Sequence, residues 1–112
     1  MIYDGLIDNI IKRAEEYFNN LDCINSCKYY QRALRRVFNT IEEECMKSMK
    51  EYEEKYDIGC FVDDIVQDYL ISLEDCFKET GDKSYLEKII EFKEKYIGLT
   101  YKNIIYKIEE KK

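Results

Sequence analysis

Histidine, proline and tryptophan are all missing from these 112 residues, and glycine occurs only four times. Without histidine there is no Ser-His or Cys-His nucleophile pair and no imidazole base. A mixed Cys/His zinc site and the Glu-x-x-His ligands of a ferritin-like di-iron centre are excluded on the same ground. Gly5, Gly59, Gly81 and Gly98 stand alone, so no phosphate-cradling loop is present. A chain so poor in proline and glycine also lacks the turn signals of a β protein. No apolar run exceeds three residues, which excludes a membrane-spanning helix or a signal peptide and suggests a soluble, cytoplasmic chain.

What is present is hydrophobic (46%) and charged (38%) in the proportions of a folded domain, and residues 1–112 are read as a single one. The net charge of -6 argues against general binding to nucleic acid or anionic membrane, and favours solubility or a partner with a basic surface.

The central stretch runs from Asp22 to Tyr56. Its apolar positions are Cys27, Tyr30, Leu34, Val37, Ile41, Cys45, Met49, Tyr52 and Tyr56, spaced by threes and fours as on one helix face. An unbroken helix of that length would span roughly 52 Å. A compact domain of this size is only about 35 Å across. Either the helix breaks, with Phe38-Asn39-Thr40 and a Thr40/Glu43 capping box as the favoured place, or the fold is elongated. An unbroken span would also leave apolar stripe for a second copy to cover, so at least a homodimer is expected.

Three further helices complete the pattern. The first runs from Ile2 to Asn20, with Ile7, Ile10, Ala14, Tyr17 and Leu21 as its inner stripe; Asp22 is the N-cap of the long helix. The third runs from Cys60 to Glu79 after a Gly59 C-cap, with Phe61, Ile65, Tyr69, Leu73, Cys76 and Phe77 inward. A turn at Thr80–Lys83 and a Ser84/Glu87 capping box open the last, whose stripe is Leu86, Ile90, Ile97, Tyr101, Ile104 and Ile108. The fold class is therefore all-α, an antiparallel bundle of about four helices, two long and two short.

Ala14, Tyr17, Asp22, Tyr30, Ala33 and Leu34 are spaced similarly to a tetratricopeptide helix pair, as are Leu73, Phe77, Gly81, Asp82 and Leu86. No common period relates the two stretches, and Ser26, Leu86 and Lys93 stand where alanine is usual. The spacings imply helix pairs in a bundle and no family.

Five cysteines, with Cys23 and Cys27 a helical turn apart, read as reduced core residues rather than a metal or disulfide framework. The acidic runs, including Asp63, Asp64 and Asp68, read as solvated helix faces. No catalytic residue, cofactor or metal is assigned. Eleven tyrosines are unusual, and Tyr29 and Tyr106 fall off the buried stripes, as interface tyrosines do.

The one asymmetric feature is a basic row. Lys28, Arg32 and Arg36 recur every fourth residue, with Arg35 and Tyr29 beside them, and three of the four arginines lie here. Positive charge early in a helix opposes its dipole, so local stability does not account for the row. The expected function is non-enzymatic, a regulator, inhibitor or adaptor working by protein–protein contact through Lys28, Tyr29, Arg32, Arg35 and Arg36. The alternatives are an RNA- or DNA-binding module using the same row, and an acidic mimic that blocks a nucleic-acid-binding protein. If the arginines instead satisfy an internal acidic face, Asp63, Asp64 and Asp68 are the expected partners.

Overall fold

A computed structural model describes residues 2–58 and 61–100 of the protein, the last four by backbone alone. The described residues form five helices and one minimal strand pair. In chain order these are β1 (Ile2–Tyr3), α1 (Gly5–Asn19), α2 (Cys23–Glu43), α3 (Met49–Lys55), β2 (Tyr56–Asp57), α4 (Val62–Thr80) and α5 (Ser84–Thr100). The fold is all-α, as the periodicity predicts. The helices pack in the order α1, α2, α4, α5, with α3 folded against α2 and α5. The resulting slab measures 40 × 38 × 20 Å.

The long central stretch breaks, but not at Phe38-Asn39-Thr40. Helix α2 continues through Thr40, whose hydroxyl donates back to the Arg36 carbonyl (2.9 Å) instead of capping a new helix. The helix ends at Glu43 in a Schellman closure. Cys45 takes a left-handed φ of 54°, its N–H donates to Glu42 O (3.2 Å), and Met46 N–H donates to Ile41 O (2.8 Å). Glu42, Glu43 and Glu44 crowd this terminus with charge of the sign its dipole opposes. Ser48 then caps α3 by accepting from Glu51 N–H, while Glu51 Oε2 accepts from Lys47 N–H. Among the described residues there are thus five helices in place of four. Cys45, expected on the buried stripe, is exposed in the turn, while Met49 and Tyr52 are buried within the same chain. The unbroken span that would have left apolar stripe for a second copy is therefore absent among the described residues.

Helix α1 starts at Gly5 rather than Ile2. Residues 2 and 3 instead pair in parallel with β2, Ile2 opposite Tyr56 and Tyr3 opposite Asp57. Asp4 caps α1 by accepting from Ile7 N–H (3.2 Å). The α1–α2 hairpin forms as expected, and Asp22 caps α2 through Asn25 N–H (3.2 Å). Leu21 does not join the core. It is 85% exposed and carries the left-handed φ of 59° of a second Schellman closure, with Asp22 N–H donating to Tyr17 O (2.9 Å).

Helix α4 starts at Val62, and its Ile65, Tyr69, Leu73 and Cys76 are buried as expected; Phe61, before its first turn, is 69% exposed. Gly81 supplies the left-handed C-cap at φ 70°. The Ser84/Glu87 box is replaced by Asp82, which accepts from Ser84 N–H (2.9 Å), because Ser84 is already inside the helix. The inner face of α5 is Tyr85, Ile89, Phe92 and Tyr96. Leu86 and Ile90 point outward, Ile90 at 58% exposure. The helix continues through Gly98 to Thr100. Gly59, Cys60 and the stripe from Tyr101 onward, with Tyr106, lie outside the described residues, as does the side chain of Ile97.

A leucine held left-handed with its side chain in solvent is strained without compensation from burial. The left-handed region costs an L-residue about 1–2 kcal/mol, of which glycine's greater unfolded-state freedom returns part. Leu21→Gly is therefore expected to stabilise the fold by about 0.5–1 kcal/mol in urea titration. Leu21→Ala should not, and equal stability of the two variants would refute the strain.

Candidate interaction surface

At about 100° per residue, Lys28, Arg32 and Arg35 fall within an arc of roughly 60° on α2, with Arg36 and Tyr29 at one edge. All four cations are exposed and Tyr29 is half-buried. The basic row therefore forms a crest along the solvent side of α2, between α1 on one flank and α4 and α5 on the other.

The α1 flank is aromatic. Tyr17 of α1 stacks on Tyr29 with centroids 5.4 Å apart and planes 16° from parallel. The Arg32 and Arg13 guanidinium carbons lie 5.0 and 5.8 Å from the centre of the Tyr29 ring. Contacts of this kind contribute about 0.5–1 kcal/mol at exposed sites. Arg13 joins the surface only through the hairpin, which brings it beside a residue sixteen positions away.

The opposite flank is a groove of about 230 Å³. Leu34, Phe38, Tyr69 and Phe92 supply its apolar lining, and Arg35, Lys88 and Lys95 its cations. Phe92 packs 5.6 Å from Phe38 and 5.1 Å from Tyr69. Burial pushes the Tyr69 hydroxyl up to about 12, opposed by nearby Arg35, so it stays protonated at neutral pH.

The crest is not satisfied by an internal acidic face. Arg36 pairs with Asp4 (Nε to Oδ2, 2.9 Å), not with α4. Asp68 lies 3.4 Å from the Tyr30 hydroxyl, and burial raises its carboxyl. Lys28, Arg13, Arg32 and Arg35 form no ion pair among the described residues. Arg36 is thus the structural member of the row, because Asp4 also caps α1 and gives its N–H to Asp57 O (3.1 Å).

The thiols cluster elsewhere. Cys27 and Cys76 Sγ lie 3.6 Å apart between α2 and α4, and Cys23 Sγ donates to Glu79 Oε2 (3.1 Å). Burial pushes Cys23 up to about 12, with the Glu79 carboxylate adding to it, and pushes Cys27 and Cys76 up to about 11. Protonated thiols in a core are poor nucleophiles and poor ligands. Among the described residues no group of three thiols or carboxylates is placed to hold a metal ion.

Comparison with known proteins returns no match: no protein-family model, curated protein or solved structure matches the chain. Among the described residues, no helix is long and apolar enough to cross a membrane.

Replacing Arg36 with Gln should lower stability by about 0.5–1 kcal/mol, since the pair with Asp4 is partly exposed. Arg35→Gln should stay within about 0.5 kcal/mol of wild type. Asp4→Asn added to Arg36→Gln should cost less than the two separate losses combined; simple additivity would show that the pair contributes nothing. Native iodoacetamide labelling, read by peptide mapping, should modify Cys45 at least about 10-fold faster than Cys23, Cys27 or Cys76. Equal rates would mean that the α2–α4 seam opens readily.

Proposed function

We propose that this chain is a non-enzymatic helical protein that acts by protein–protein contact, with the exposed crest of α2 as its docking surface. The observation that carries this reading is that Lys28, Arg32 and Arg35 form no ion pair among the described residues, on a chain whose net charge is -6. Carboxylates are plentiful at home, yet of the row only Arg36 is paired with one among the described residues. It lies beside the Tyr17–Tyr29 stack, and arginine and tyrosine are the residues that most often dominate binding energy at interfaces. Tyrosine contributes large contact area at little entropy cost. The partner in this reading carries an acidic patch, and the protein serves as a regulator, inhibitor or adaptor.

The Tyr17–Tyr29 stack, with two guanidiniums near the Tyr29 ring, also supports a second reading, a platform for single-stranded nucleic acid. Salt separates the two. Each phosphate contact releases counterions and steepens the loss of affinity with salt, whereas a protein partner shows a shallower dependence, mostly in the on-rate.

The test is affinity capture from the source lysate with and without nuclease, followed by binding of the purified partner. A nuclease-resistant protein partner is expected. Changing Lys28, Arg32 and Arg35 together to Gln should weaken it by at least about 10-fold and leave the melting temperature nearly unchanged. Salt-steep binding to RNA or DNA that vanishes in the triple variant would replace this reading with the second.

A further inference from the structure

We infer that the groove between α2, α4 and α5 receives one large apolar side chain, phenylalanine or leucine, from an acidic segment of the partner. The inference rests on the crest of α2 being the docking surface, and adds where the partner anchors and what chemistry it presents.

The size of the groove comes first. Small-molecule sites usually enclose about 300–1,000 Å³. At about 230 Å³ this groove is too small for a cofactor, but well suited to one inserted side chain. Its lining agrees. Leu34, Phe38 and Tyr69 are buried and Phe92 is half-buried, with the three rings packed edge and face into a fixed apolar floor. An aromatic or branched side chain placed there would exchange water for contact with this floor.

The rim specifies charge. Arg35 on α2 and Lys88 and Lys95 on α5 stand around the floor, against the single carboxylate of Glu91. All three cations are exposed, and none forms an ion pair among the described residues. Lys95 Nζ sits 5.3 Å from the centre of the Phe38 ring, at the mouth of the groove. An apolar floor under a cationic rim on an otherwise acidic molecule selects an apolar anchor flanked by aspartate or glutamate. Arg35 belongs to both the rim and the crest, so a segment anchored here lies directly along Lys28 and Arg32. A packed apolar anchor inside a polar rim is the usual anatomy of an interaction hot spot.

The test is a titration of the full ¹⁵N-labelled chain with a synthetic acidic dodecapeptide carrying one central phenylalanine. Amide shifts are expected at Gln31, Arg35, Phe38, Phe92 and Lys95. The same peptide with alanine at the centre should bind at least about 10-fold more weakly. Lys88→Glu with Lys95→Glu should cost a further loss of about 10-fold or more, whereas the same charge change at Lys50 and Lys78 should cost less than about 3-fold. Thermal melts confirm that both double variants are folded. No saturable shift up to millimolar peptide, or equal binding of the alanine peptide, would overturn the inference. Shifts confined to Arg13, Tyr17 and Tyr29 would remove the groove but leave the docking surface standing. A single-stranded oligonucleotide that moves the groove amides more strongly than the peptide would overturn the acidic-segment assignment.

Discussion

The buried stripe of α2, from Cys23 through Ser26, Tyr30, Leu34 and Val37 to Ile41, is the surface against which α1, α3 and α4 all pack. Burying each of its larger side chains contributes about 1.5–3 kcal/mol, so the stripe holds a large share of the fold's stability. Where α2 meets α4 the contact is made by small residues. Ser26 Oγ lies 2.9 Å from Ser72 Oγ and 3.1 Å from the Cys23 carbonyl, so the buried hydroxyls find partners inside the seam. Protonated Cys27 and Cys76 fill the next turn as small apolar groups.

One consequence is that the opposite face of α2 is left to solvent. A helix flanked on both sides and packed underneath presents a single ridge, and this ridge carries Lys28, Arg32 and Arg35. Its neighbours are then decided by packing. The hairpin sets Tyr17 and Arg13 on one side, and the crossing of α5 over Phe38 and Tyr69 sets Lys88 and Lys95 on the other. Arg36 alone is drawn into the fold, through Asp4, whose hydrogen bonds join α1, α2 and β2. Residues alike in sequence thus divide into one structural ion pair and a set of cations with no ion pair among the described residues.

Periodicity made most of the core legible. Ile7, Ala14, Tyr30, Leu34, Val37, Ile41, Tyr52, Tyr69 and Leu73 all lie where a 3.6-residue repeat puts them. The misreadings have specific causes. The end of α2 carries no glycine, because the left-handed position of its Schellman closure is Cys45; the clearest sequence signal of a helix stop is simply absent there. The capping residues Ser48 and Glu51 three positions apart were the available clue. In α5, Leu86 and Ile90 form as good a stripe as Tyr85, Ile89, Phe92 and Tyr96. Two overlapping stripes cannot be ranked without knowing which neighbour the helix meets.

By itself, then, the sequence determined the helical class, the α1–α2 hairpin with its Asp22 cap, the Gly81 turn and the basic row. Each of these follows from local spacing, capping chemistry or residue type. Only the tertiary structure decided that Arg36 reaches Asp4 thirty-two residues away, that Arg13 joins the tyrosine stack, and that Lys88 and Lys95 stand with Arg35 around an aromatic floor. Those groupings depend on which helix faces meet, and contacts between distant segments leave no periodic trace in a single chain.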